Sequence, residues 1–204
     1  MPRPPPPDAA LMATGRPCSS ANATTSSVPA GAQTGPLTVT TPRGPNQLLG
    51  GGHFTRATPL AAGNNHSAQV RANGTLWTWG RNINGQLGLG TTTQQNSPVQ
   101  VGSATSWVSV AATLYTAVTA AVQTDGTLWV WGNNTNGQHG DGSINTTRLV
   151  PGQVGAATTW ASVSPARGGG FMIGVQTNGT LWGWGNNGSS QLGDGTTTER
   201  LKPG

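Results

Sequence analysis

The chain has 204 residues, of which only 7% are charged, and a formal net charge of +5. That charged share lies far below the roughly 25% usual in soluble domains, so Thr, Asn, Ser and Gln supply the polarity, and 32 glycines suit a β-rich chain with many tight turns. The single cysteine, Cys18, excludes an internal disulfide, and no apolar run approaches the ~20 residues of a membrane helix.

Residues 1–53 differ from the rest. They hold ten of the fifteen prolines and no aromatic residue at all. Such a segment cannot bury enough apolar surface to offset its ordering entropy, so a disordered tail is expected. A second reading is that these residues are not translated in nature. The stretch Ala9-Ala10-Leu11-Met12-Ala13 is too short for the apolar part of a signal peptide. Much of the basic excess also sits early: Arg3, Arg16, Arg43 and Arg56 face Asp8 alone. Beyond residue 60 six cations oppose four anions without a clustered stripe. Nucleic-acid binding is therefore disfavoured, because counterion release needs several clustered cations.

From residue 54 onward one phrase occurs three times. Asn73-Gly74-Thr75-Leu76-Trp77-Thr78-Trp79-Gly80 runs on to Gln86-Leu87-Gly88. It returns from Asp125-Gly126, with Leu128, Trp129 and Trp131, to Gln138-His139-Gly140. It returns again from Asn178-Gly179, with Leu181, Trp182 and Trp184, to Gln191-Leu192-Gly193. The spacings of 52 and 53 residues signify stacked supersecondary units. Each Asx-Gly pair predicts a tight hairpin closed by a type I′ turn, which needs φ > 0 at both central residues. Strands are expected before the turns (Ser67 to Arg71, Ala117 to Gln123, Phe171 to Gln176) and after them. Residues two apart on a strand share a face, so both Trp of a pair point one way and the Leu the other. Each strand should then be covered on both sides. Pro98–Val101 and Leu149–Val154 supply another strand per period, as do Trp107–Val110 and Trp160–Val163. Four short strands per period describe a propeller blade. Three blades are expected, at about 54–102, 103–155 and 156–204.

The string G-T-L-W-x-W-G, followed by x-N, G-Q-L-G, a Thr-rich turn and P-V-Q-V-G, resembles the regulator of chromosome condensation repeat, with the closest look to bacterial, secreted or surface members. The resemblance covers roughly residues 61–204 and implies blades of an all-β propeller with seven in the full ring. It is incomplete in places. His66-Ser67 keeps the family's His before the hairpin, whereas Val118-Thr119 and Phe171-Met172 do not. Thr55-Arg56-Ala57-Thr58 stands where the first blade should carry a Trp-x-x-Val strand. Three repeats are under half of a ring, and the chain reaches Leu201-Lys202-Pro203-Gly204 where the first strand of another blade is expected. The expectation is a partial propeller that is either a fragment of a longer protein or self-associates through its open edges.

Most of the remaining motifs are expected to be structural. The six Trp of the pairs, with Trp107 and Trp160, recur with the period and are expected as core beside Leu76, Leu128 and Leu181. Gly140-Asp141-Gly142 and Gly193-Asp194-Gly195 offer one carboxylate each, so they are expected as turns and not calcium loops. Gln86, Gln138 and Gln191 are expected to bond loop backbone groups. His53, His66 and His139 do not recur at one repeat position, and no metal cluster, cofactor site or nucleophile–base set emerges. Function is left to irregular loops on the propeller rims, with Gln94, Asn96, Asn145, Arg148, Glu199 and Arg200 as candidate contacts. The expected role is non-catalytic binding or scaffolding toward a protein or cell-surface partner. The alternatives are nucleotide exchange on a small GTPase, implied by the resemblance, and a truncated fragment without independent function. The composition suits a secreted or surface protein.

Overall fold

The structure is a computed structural model and describes residues 40–41, 44–45, 58–168 and 170–204. The chain divides into two units, Met1–Thr55 and Arg56–Gly204. In the first, β1 (Thr40–Thr41) pairs antiparallel with β2 (Gly44–Pro45). The rest of the expected tail over 1–53 lies outside the described residues.

The second unit is a succession of antiparallel meanders. β3 (Leu60–Ala62), β4 (His66–Val70), β5 (Leu76–Gly80) and β6 (Gln95–Gln100) form the first sheet in that order. β7 (Trp107–Ala112), β8 (Val118–Gln123), β9 (Leu128–Asn134) and β10 (Thr146–Gln153) form the second. β11 (Trp160–Pro165), β12 (Phe171–Gln176) and β13 (Leu181–Gly185) form the third. The end of the chain completes this blade: Arg200 bridges Gly185, and Gly204 and Gly183 exchange both backbone bonds. Arg200–Gly204 thus takes the place of a fourth strand along β13, and does not begin another blade. The strand missing from the first blade's motif is present too, as β3, although no tryptophan marks it.

The hairpins close differently from a type I′ turn. Gly74, Gly126 and Gly179 have positive φ (76°, 77° and 84°), but Asn73, Asp125 and Asn178 do not. The Gly74 N–H reaches back to the Arg71 carbonyl, and the Arg71 N–H takes the Thr75 carbonyl. This is a turn followed by a left-handed glycine, the longer hairpin with a bulge. The Asx side chain has its own task. Asn73 Oδ1 accepts from the Thr75 backbone N–H and hydroxyl, and the Thr75 hydroxyl accepts the Trp77 indole N–H at 2.8 Å. Asp125-Thr127-Trp129 and Asn178-Thr180-Trp182 repeat the relay.

The blades converge at their first strands, β3 beside β7 and β7 beside β11. Each contact between blades joins two unlike faces. The leucine-bearing face of blade 1 (Ala68, Val70, Leu76) meets the tryptophan-bearing face of blade 2 (Trp107, Ala121, Trp131, with Trp129 half-buried). The leucine-bearing face of blade 2 (Val118, Ala120, Val122, Leu128, Val130) meets Trp160, Met172 and Trp184 of blade 3, flanked by Trp182. β8, in the middle, is buried on both sides, as expected for a covered strand. The end blades depart from that expectation. Trp77 and Trp79 are only half-buried, and Leu181 is 67% exposed. Leu181 was expected in the core; it lies on the far face of the last blade, where no described strand covers it.

Candidate binding rim

One rim of the array carries the Asx-Gly hairpins and the connections between blades. The other carries the loops after β3, β7 and β11 and the long loops that follow β5, β9 and β13. The long loops are built on a buried asparagine at the same place in every repeat. Asn82 Oδ1 accepts the Leu87 N–H while its Nδ2 donates to the Thr91 and Thr93 carbonyls. Asn134 does the same for His139 N–H and the Ser143 and Thr146 oxygens, and Asn187 for Leu192 N–H and Thr196. All three are fully buried. The 52- and 53-residue recurrence of this Asn was the signal for its role, and the sequence reading assigned it none. The three Gln side chains accept backbone N–H groups two residues earlier, from Asn84, Asn136 and Ser189.

The two aspartates of these loops are tied down. Asp141 accepts from the Ser143 N–H and hydroxyl and pairs with Arg148. Burial pushes its carboxyl up, but the Ser143 bonds and Arg148 outweigh that and hold it below the usual range. Asp194 accepts from Thr196, Asn187 and Arg200, and these bonds, the Thr196 backbone first, hold it far below the usual range. Among the described residues no group of three or more His, Cys, Asp or Glu could hold a metal.

Both described histidines are buried and structural. His66 Nε2 lies 2.9 Å from Thr119 Oγ1, and the Thr119 hydroxyl donates to the Gln86 carbonyl. With its proton so committed, Thr119 must accept, so His66 is the neutral Nε2–H tautomer. Burial pushes His66 down to about 4. His139 Nε2 lies 3.0 Å from the Gly132 carbonyl, and burial, with Arg148 nearby, pushes it down to about 4 as well.

Of the candidate contacts, Gln94 and Asn96 are exposed and joined to each other, Nε2 to Oδ1, at 3.0 Å. Asn145 and Glu199 are exposed, Asn145 at a positive φ of 56°. Arg148 and Arg200 are held by Asp141 and Asp194, where they brace the outer loops. The structure brings together a different set on the same rim. Arg81, Ile83, Asn84, Leu114 and Tyr115 line a cleft of about 180 Å³ above His66, between blades 1 and 2. Tyr115 is 74% exposed and Ile83 57%. The Tyr115 N–H bonds the Arg167 carbonyl of blade 3, which fixes its loop to the next one. Ile83 and Tyr115 escaped the sequence reading because neither recurs in the other repeats. A larger groove of about 670 Å³ runs along the perimeter, past Leu89, Val101, Trp107 and Trp129, and its lining holds no titratable side chain.

Comparison with known proteins agrees with this architecture. Residues 73–115 and 107–138 match the regulator of chromosome condensation (RCC1) repeat. The chain is 35% identical over 155 residues to the ultraviolet-B receptor UVR8 of Arabidopsis thaliana, covering 74% of this chain and 34% of the receptor. It is 34% identical over 135 residues to the protein RCC2 homolog of Danio rerio, covering 66% of this chain and 26% of that protein. It is 30% identical over 139 residues to the human E3 ubiquitin-protein ligase HERC2, covering 67% of this chain but 3% of the ligase. The chain thus spans about a third or less of these relatives. Among solved structures, human WBSCR16 matches with a TM-score of 0.63 at 25% identity, over 75% of this chain and 38% of that one. Yeast RCC1 (Prp20), bound to Kap60, matches with a TM-score of 0.60 at 17% identity, over 71% and 35%. With its repeats, its hairpin relay and its blade faces accounted for, the chain is built from blades of the regulator of chromosome condensation repeat family.

Proposed function

We propose that this chain is a non-catalytic binding module whose β3–β4 and β7–β8 rim engages a protein partner. The observation that carries this reading is the exposure of Ile83 and Tyr115 on one cleft, beside Arg81. An aromatic ring and an arginine next to an apolar anchor are the side chains that dominate protein interfaces. His66, His139, Asp141 and Asp194 support a non-catalytic role, since each is committed to a bond within the fold. Gln94 and Asn96 extend the same rim outward. The end faces of the array offer a second mode, self-association.

The test compares proteins captured from a lysate by the wild-type chain and by the Ile83→Asn, Tyr115→Ser pair. Partners bound through this rim are lost from the variant and kept by an Asn96→Ala control. Equal capture by all three sinks the reading. Exchange on a small GTPase draws support only from relatives' names, among them the X-linked retinitis pigmentosa GTPase regulator homolog of Caenorhabditis elegans. A nucleotide-release assay without acceleration removes it.

A further inference from the structure

The contact between blades is built twice inside this chain, and each time from the same parts. The second Trp of the later blade donates its indole N–H to the main-chain carbonyl of the earlier blade's Gln, Trp131 to Gln86 and Trp184 to Gln138, both at 2.9 Å. The glycine two residues after that Gln leaves room for the ring, since a Cβ on Gly88 or Gly140 would lie 2.8 Å from the indole nitrogen. The earlier blade inserts a leucine, Leu76 or Leu128, that is fully buried. In the first contact the Thr119 hydroxyl adds a second bond to the Gln86 carbonyl.

The two end faces hold the unmatched halves of this contact. On blade 1, Trp79 stands at the place of Trp131 and Trp184 and has no acceptor among the described residues. Ser67, paired with Trp79 across β4 and β5, stands at the place of Thr119 and offers the same hydroxyl. On blade 3, Leu181 stands at the place of Leu76 and Leu128 but is 67% exposed. The Gln191 carbonyl meets no donor among the described residues. Gly193, at the place of Gly88 and Gly140, has nothing within 4 Å of its Cβ position. Donors lie on one face and acceptor, glycine and leucine on the other.

We propose that two copies of this chain associate head to tail, the Trp79 face of blade 1 in one copy seating on the Leu181 face of blade 3 in the other. This rests on the self-association reading above and gives it a polarity. The Trp79 indole and the Ser67 hydroxyl donate to the Gln191 carbonyl, the indole lies over Gly193, and Leu181 enters the new contact as Leu76 enters the first. Head-to-head pairing would set two donors against each other, and tail-to-tail two carbonyls, so the contact is heterologous. Such a contact closes into a ring or continues into a chain of copies according to its rotation.

The experiment uses the full chain and two face variants, Trp79→Asp and Leu181→Asp, followed by sedimentation velocity over a hundredfold range of concentration. The wild type is expected to rise with concentration from 20.7 kDa to twice that mass or a higher multiple. Each variant alone is expected to stay a monomer. Mixed in equal amounts, they are expected to form a species of twice the monomer mass, because one keeps the head and the other the tail. A wild type that stays monomeric throughout overturns self-association. A wild type that associates while the mixture does not, or while either variant alone still does, overturns the polarity and leaves self-association standing. Far-UV circular dichroism and melting check that the variants fold, and Ser67→Glu replaces Trp79→Asp if blade 1 does not tolerate the loss of its indole.

Discussion

Replacing Trp131 and Trp184 by Phe should cost unequal amounts, and the difference isolates one hydrogen bond. Both rings are fully buried and both donate to a Gln carbonyl at 2.9 Å. Both substitutions remove a comparable part of the ring, so the cavity cost is similar and cancels in the comparison. What remains differs. The Gln86 carbonyl keeps the Thr119 hydroxyl at 2.8 Å after Trp131→Phe. The Gln138 carbonyl has no second donor among the described residues, because Met172 stands where blade 2 has Thr119. A satisfied acceptor that loses one of two bonds forfeits little, whereas a buried acceptor left with none costs about 1–3 kcal/mol. Trp184→Phe should therefore destabilise by about 1–2 kcal/mol more than Trp131→Phe. That corresponds to roughly 2–8 °C in melting temperature for a chain of this size. Urea denaturation followed by far-UV circular dichroism, with thermal melts alongside, measures both. Equal losses, or a larger loss for Trp131→Phe, refute the assignment of the Thr119 hydroxyl to Gln86.

Alanine at Gly140 and at Gly193 makes a second pair. Both glycines hold φ near +65° to +69°, so both substitutions incur the same left-handed penalty, but only at Gly140 would the new Cβ meet Trp184 at 2.8 Å and Val154 at 3.0 Å. At concentrations where the chain is monomeric, Gly140→Ala should lose about 1–3 kcal/mol more in urea denaturation, and parity would show that the contact between blades gives way freely. Acid should also weaken the fold well above the carboxylate range. His66 and His139 sit at about 4 when folded and near 6.5 when unfolded, so their stabilisation is complete above about pH 6.5 and drains away as pH falls toward 4. At pH 5 each accounts for a loss on the order of 2 kcal/mol relative to pH 7. The double variant His66→Gln, His139→Leu should flatten stability between pH 7 and 5 in urea titrations, and an unchanged slope would discard the histidines as its cause. Asp141 and Asp194, whose carboxyls are lowered in the fold, add their loss only below about pH 4.

The repeat made the blades legible because its parts are backbone and core parts. The Thr-Leu-Trp-x-Trp alternation fixes which side chains share a face, and β5, β9 and β13 follow it residue by residue. The turn chemistry was half legible. Asn73-Gly74 marked a hairpin correctly, but a dipeptide does not reveal loop length, which here follows from the Asn73 side chain capturing the Thr75 N–H and hydroxyl. Position in the array was not legible at all. Leu181 and Leu128 occupy identical motif positions, yet one is 67% exposed and the other fully buried, because burial depends on whether a neighbouring blade is there. The rim was the least legible. Ile83 and Tyr115 carry no periodic signal, and only the convergence of two loops from different blades puts them on one cleft.

These observations separate two kinds of surface that repetition produces. A feature whose parts recur in every blade, such as the Trp indole and the Gln carbonyl, joins blade to blade within the chain, and under the head-to-tail proposal it would join copy to copy. A side chain present in one blade only, such as the Tyr115 ring on its five-residue loop between β7 and β8, is no part of the repeated contact between blade faces and stands exposed on the rim. Gly168 shows the distinction within a few ångströms: its Cβ position lies 3.2 Å from the Tyr115 ring, so the loop of blade 3 stays small where the tyrosine of blade 2 leans toward it. A substitution there, Gly168→Val, would press on the tyrosine without touching any contact between blade faces. It should alter capture of a rim-bound partner while leaving head-to-tail association unchanged. The two surfaces therefore answer to different residues, and loss of one without the other is the outcome that a shared surface could not produce.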